Sequence, residues 1–192
     1  SYIGYFGAAI SHDLFNWEWT NSANEPRNAF TYTFGADEKR VYFAHHMLYH
    51  PSRFMKFAEL HGLCVKHLCD DNKGTPIPFI TIGEGSRNIL LTSRHHCCES
   101  TGDYIMEGII DEFIKHPIPD CRVTAIPFID ADGVIAGDQG KNRRPHDHNR
   151  DYGEWLYSGT RAVSSIVEKG DVLAVFDLHS PWHISGRNDK VF

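Results

Sequence analysis

The chain has 192 residues, 41% of them hydrophobic and 23% charged, with a formal net charge of −6 at pH 7. That length can bury a sizeable single core, and that apolar content excludes a disordered chain. The acidic balance leaves no electrostatic footprint for nucleic acid, and no apolar run reaches membrane-spanning length, so neither is expected as a partner.

The five cysteines (Cys64, Cys69, Cys97, Cys98, Cys121) are odd in number and lack paired zinc-finger spacing. Reduced thiols in a cytoplasmic compartment are expected. The chain begins at Ser1 rather than Met, which leaves room for a trimmed start and a lost leader.

Residues 1–38 are aromatic-rich and turn-rich. Phe30, Tyr32 and Phe34 alternate with Ala29, Thr31 and Thr33, the pattern of a strand with one buried face. This stretch reads as a short β segment or the end of a β-sandwich domain. A second domain is expected over residues 39–192, entered through a strand at Val41–Ala44. Pro51 suits the first turn of a helix carrying Phe54, Phe57, Ala58 and Leu60. Gly62 interrupts that stripe, and Cys64, Val65 and Leu68 continue apolar towards a polar turn at residues 70–74.

Strands follow at 77–82 and 88–92, then a helix over about 100–115 that Pro117 and Pro119 end. Cys121–Ile129 is the next strand. Residues 130 to about 153 carry Asp, Gly, Asn, Arg and His with little apolar pattern, as expected of a functional loop. Ser158 can cap a helix running to about Lys169, which Gly170 stops. Val172–Phe176 is a continuous apolar run, the mark of a strand buried on both faces. Strands and helices alternate, so the fold class is α/β: a mixed, largely parallel sheet flanked by helices and preceded by the short β segment.

His96 and Glu99 sit three positions apart at a strand-to-helix turn, where an imidazole and a carboxylate can chelate one zinc ion from the same side. His179 follows the Val172–Phe176 strand. Ligands in open α/β sheets bind beyond the carboxyl ends of the strands, so the three residues make a plausible site with one open position. His95 rivals His96, but its spacing to Glu99 is one residue longer. His45, His46, His50, His61, His67, His116, His146 and His183 read as surface or hydrogen-bonded filler. Asp130 and Asp132-Gly133 read as turn formers, Cys97 and Cys98 as small buried hydrophobes, and Lys141-Asn142-Arg143-Arg144 as a solvated turn.

His96-Cys97-Cys98-Glu99, Asp130-Ala131-Asp132-Gly133, Asp147-His148-Asn149-Arg150 and Asp177-Leu178-His179-Ser180 occur in order and at fitting separations. Together they resemble the blocks of the zinc carboxypeptidases, and Val41–Ala44 followed by Tyr49-His50-Pro51 resembles the entry to the catalytic domain in the cytosolic branch. The resemblance covers roughly residue 40 onward. It implies one Zn²⁺ held by His96, Glu99 and His179, with Asp147 supporting His96. Arg150 and Asn149 would bind the free C-terminal carboxylate of a peptide or peptide-like substrate. The implied activity is zinc-dependent hydrolysis of the C-terminal bond.

The departures shape the expectation. The family's oxyanion-stabilising Arg falls near Gly140, which leaves Lys141 or Arg143 as substitutes. Its general-base Glu lies well downstream of the third ligand, whereas thirteen residues follow His179 here and none is Glu. A fragment is therefore expected. Two alternatives stand beside the peptidase: a deacylase of N-acyl amino acids resembling the aspartoacylases and succinylglutamate desuccinylases, and a non-catalytic module binding zinc and carboxylate.

Overall fold

The computed structural model describes residues 6–21, 23–24 and 29–180; His183 lies outside them. The described residues fall into two compact units that divide between Tyr49 and His50.

In the first unit, β1 (Ala9–Ser11) is the middle strand of an antiparallel sheet, with β2 (Glu18–Trp19) on one side and β5 (Tyr42–Ala44) on the other. The pair β3 (Ala23–Asn24) and β4 (Ala29–Phe30) is separate. The strand expected through Phe34 stops at Phe30. Tyr32 and Phe34 instead leave the ladder and gather around Phe43, with ring centroids 5.2 and 6.3 Å from it. Aromatic clustering, not strand pairing, organises that stretch.

The second unit is a five-stranded sheet in the order β10-β8-β9-β7-β6, flanked by helices. Its strands are β6 (Lys66–Asp70), β7 (Pro76–Ile82), β8 (Arg87–Ser93), β9 (Cys121–Ile126) and β10 (Val172–Leu178). The pairs β10/β8 and β8/β9 are parallel, whereas β9/β7 and β7/β6 are antiparallel, so the sheet is mixed. Strand β8, next to the centre of the sheet, ends deeply buried, with Leu90, Leu91, Thr92 and Ser93 all at 1% exposure or less.

Helix α1 (Pro51–Leu60) buries Phe54 and Ala58, and Phe54 packs edge-on against Phe128. The stripe does not continue beyond it. Gly62 takes a left-handed conformation (φ +62°), and residues 66–70 form β6, hairpinned to β7 through the polar turn Asp71–Gly74. The apolar Cys64, Val65 and Leu68 fit either period, and strand pairing decided between them.

Helix α2 (Thr101–Lys115) matches the expected span, and α4 (Ser158–Val167) follows the polar segment. Ser158 does not cap α4. It occupies the first helical position, and its N–H and hydroxyl both donate to Asn72 Oδ1, at 2.9 and 3.0 Å. A side chain 86 residues away supplies the acceptor that a local cap would have given.

The polar segment is not loop throughout. Asp130 caps a short helix, α3 (Ala131–Ala136), by accepting from Gly133 N at 3.0 Å. A single 3-10 turn spans His148–Arg150. Strand β10 also departs from expectation. Among the described residues it lies at the sheet edge, with Leu173 56%, Val175 48% and Phe176 52% exposed, rather than buried on both faces.

Candidate metal centre

Parallel pairing of β8 with β10 sets Thr92 opposite Asp177 and Ser93 opposite Leu178. Both chains therefore leave the sheet at the same edge, β8 into Arg94–Glu99 and β10 into His179. A Cβ on Gly102 would come within 2.7 Å of Ser93 Oγ and 2.8 Å of the Leu178 carbonyl. Only glycine lets α2 begin this close to both strand ends. The polar segment closes the other side. Gly140 has φ +88°, and a Cβ there would lie 2.7 Å from Cys97 N.

The turn from Arg94 to Glu99 is held from within. Arg94 has φ +62° and is 5% exposed. Its Nε donates to the Cys97 carbonyl at 2.7 Å, and its Nη1 donates to Asp103 Oδ2 at 2.8 Å. The segment after β9 braces the same turn through Asp130 N, which donates to the Arg94 carbonyl at 3.1 Å.

On this frame His96 Nδ1 lies 3.1 Å from Glu99 Oε1, and His179 Nδ1 lies 2.6 Å from Glu99 Oε2. The three residues come from two distant stretches, and their ligand atoms gather within 4.8 Å of one another. Each imidazole is backed at Nε2 by a carboxylate: Asp147 Oδ1 stands 3.6 Å from His96, and Asp177 Oδ2 stands 2.9 Å from His179.

The donor set suits a divalent zinc ion. Two neutral imidazoles and one carboxylate are its common ligands, and a carboxylate behind each ring can take the Nε2 proton, which would leave Nδ1 as the ligand atom with an ion bound. Asp147 Oδ1 is buried without a hydrogen-bond partner, as expected of an oxygen waiting for the N–H of a ring turned fully onto a metal. The residues fit the ion.

The electrostatics are those of a strongly paired cluster. Hydrogen bonding to Asp177, then to Glu99, lifts the His179 pKa to about 10. Burial would raise that of Glu99, but bonds from His179 and Lys141 outweigh it and hold the carboxyl at about 2. Desolvation pushes the Cys97 and Cys98 thiols up, which keeps both protonated and poor ligands at neutral pH.

The other predicted residues divide. Lys141 reaches the site, its Nζ 2.8 Å from Glu99 Oε1. Arg143, the other candidate for an oxyanion-stabilising cation, is bonded elsewhere. Its guanidinium is forked onto Asp130 (Nε–Oδ2 3.0 Å, Nη2–Oδ1 3.0 Å) and bonded to Asp138 at 2.8 Å. Asp130, read from sequence as a turn former, thus braces two elements.

Arg150 follows Asp147 on the 3-10 turn with a side chain 77% exposed, its Nε 3.9 Å from Asp147 Oδ2. Asn149 lines a groove of about 520 Å³ together with Thr92, Tyr152, Val163, Val175 and Asp177. Asp177 and Tyr152 were not among the expected site residues. The signal for Asp177 was present: positions i and i+2 of a strand share a face, which puts it beside His179.

No family model matches the chain. By sequence it is 27% identical over 194 residues to cytosolic carboxypeptidase 2 of Xenopus tropicalis, covering 85% of this chain and 20% of that one. Cytosolic carboxypeptidase 4 of Mus musculus is 27% identical over 157 residues, covering 66% of this chain and 14% of its own. By structure it superposes on the metallo-carboxypeptidase of Burkholderia cenocepacia with a TM-score of 0.72 at 18% identity, over 92% of this chain and 52% of that one. The metallo-carboxypeptidase of Pseudomonas aeruginosa, in complex with (2-guanidinoethylmercapto)succinic acid, gives 0.69 at 19% identity, over 94% and 52%.

The fold is thus that of the metallocarboxypeptidases. The sequence relatives are cytosolic carboxypeptidases, and the two likenesses together bear out the resemblance to the zinc carboxypeptidases. The chain spans about a fifth of the length of the first of these relatives and about half that of the solved structures.

Proposed function

We propose that this chain carries the metal centre of a zinc-dependent carboxypeptidase, with His96, Glu99 and His179 as the zinc ligands and Asp147 fixing His96. The observation that carries the reading is the convergence of His96 Nδ1 and His179 Nδ1 on the Glu99 carboxylate, each ring backed by a second carboxylate. Zinc, when bound there, supplies a Lewis acid that lowers the pKa of a water and polarises a carbonyl.

This chain's own residues supply the rest of the binding chemistry. Arg150 offers an exposed planar fork suited to a substrate's terminal carboxylate, and Asn149 beside it adds a donor or an acceptor. Lys141 holds an ammonium against Glu99, near where negative charge would develop on the substrate. The substrate class is a peptide or peptide-like chain with a free C-terminus. A cytosolic address goes with the named relatives, and residues 1–38 are read as an accessory β segment ahead of the hydrolase domain.

Zinc content after dialysis, by elemental mass spectrometry, tests the centre. One zinc per wild-type chain, lost in folded His96→Ala and His179→Ala variants, is the expected result. No zinc in a folded wild type would refute it. Arg150→Ala should then raise KM for substrates with a free carboxylate far more than for amidated ones; equal losses would remove its anchoring role.

A further inference from the structure

We infer that His95, with Tyr152 behind it, is a positioning residue for the metal centre, holding the Asp177 carboxylate that fixes the ring of His179. The inference rests on the zinc reading above.

His95 precedes a proposed ligand, yet it is grouped with Asp177 rather than Glu99 and is 1% exposed. Its Nε2 pairs with the Tyr152 hydroxyl at 2.7 Å, and its buried Nδ1, which has no aligned hydrogen bond, lies 2.9 Å from Asp177 Oδ1. The second oxygen of Asp177 lies 2.9 Å from His179 Nε2. The His95 and His179 rings are nearly parallel, 27° apart with centroids at 6.0 Å. A continuous line of polar contacts therefore runs from Tyr152 through His95, Asp177 and His179 to Glu99.

Asp177 needs such a hold. It lies on edge strand β10 with a side chain 32% exposed, so packing alone does not fix its carboxylate. Thr92 donates to Oδ1 at 2.9 Å, which is one anchor from β8. One hydroxyl leaves the carboxylate free to swing, and His95, three residues further along, places a second donor atom 2.9 Å from the same oxygen.

Proton bookkeeping gives the line a direction. A neutral imidazole has one N–H. With the Tyr152 hydroxyl donating to His95 Nε2, the His95 proton sits on Nδ1, within 2.9 Å of Asp177 Oδ1 and needing only a turn of the ring to align with it. Asp177 then accepts the N–H of His179 at Nε2, which leaves the Nδ1 lone pair for the metal. The same three groups, His95, Asp177 and His179, have the composition of a cation site of their own. Filling it together with the first site would strip both ring protons from His179.

Zinc affinity, read by competition with a chromogenic chelator on folded protein, tests the inference. His95→Asn can place an amide N–H near the Nδ1 position and keep the donor to Asp177. His95→Gln reaches towards Tyr152 and loses that donor. The expected result is zinc binding weakened about 10- to 100-fold in His95→Gln and largely restored in His95→Asn. A purely structural histidine would not separate the two amides.

Equal affinities in both variants, whether weakened or unchanged, would overturn the inference, as would two zinc ions per wild-type chain. If His95→Gln does not fold, Tyr152→Phe carries the test. A loss of about threefold or more supports the line, and unchanged affinity breaks it. A folded wild type without zinc would refute the metal reading itself, before any variant is compared.

Discussion

Arg94 and Asp103 form an ion pair at 2.8 Å with side chains 6% and 1% exposed, directly beneath the turn that carries His96 and Glu99. Removing one partner strands a buried charge. Asp103→Leu should therefore cost about 3–5 kcal/mol of unfolding free energy in urea titrations. Arg94→Met/Asp103→Leu should recover only part of that loss, because Arg94 also donates to the Cys97 carbonyl. Full recovery in the double variant would mean that the pair, not the carbonyl bond, holds the turn.

Gly140 is where the polar segment touches the metal turn. Ala at this position meets two obstacles, the left-handed φ of +88° and a Cβ 2.7 Å from Cys97 N. Gly140→Ala should destabilise the chain by at least about 1 kcal/mol and weaken zinc binding as the loop lifts from His96. Gly137, also left-handed at φ +72° but with nothing within 4 Å of an added Cβ, is the control. Gly137→Ala should show the backbone cost alone, with zinc affinity unchanged.

The strand ends were legible in the sequence because apolar runs and their polar sequels share a boundary: Ile89–Leu91 before His96, and Val172–Phe176 before His179. What lay across the chain was not legible. Asn72 reaching Ser158, Arg143 clamped by Asp130, and β6 hairpinned to β7 are each decided by a partner far away or by pairing rather than by local period. The apolar run of β10 predicts two buried faces, and the described sheet covers neither fully. His95 was set aside on spacing alone. Its role depends on Asp177 and Tyr152, which only the parallel register and the 3-10 turn bring to it.

Lys141 competes with a metal for Glu99. Its ammonium lies 2.8 Å from Oε1 of a carboxylate 7% exposed, so a cation entering the site meets both a like charge and an occupied oxygen. Lys141→Met should tighten zinc binding by about fivefold, from a charge-assisted bond worth about 1 kcal/mol. If Lys141 also stabilises charge developing on the substrate, hydrolysis should fall in the same variant. Tighter zinc with lower turnover would separate the two roles, and weaker zinc binding would show that Lys141 helps to organise the site.

Asp151 sets the acid limit of the segment that carries Asp147 and Arg150. Its carboxylate is fully buried and accepts from Leu156 N and Tyr157 N, both at 2.9 Å, and from the Thr160 hydroxyl, with His146 Nε2 2.8 Å away. Burial alone would raise its pKa, but those bonds, led by Thr160 and His146, outweigh it and leave the pKa below the ordinary carboxylate value. A carboxylate depressed on folding adds stability that is fully present above its unfolded pKa. That stability drains away as the pH falls through the folded value. Asp151→Asn keeps one acceptor oxygen but no charge, and should cost about 2–3 kcal/mol near neutral pH. The gap between wild type and variant should hold in urea titrations from about pH 7 to about pH 5 and narrow from there towards about pH 3, because the wild type alone carries this protonation. A gap that stays constant over that range would show that the Asp151 network stabilises the segment by shape rather than by charge.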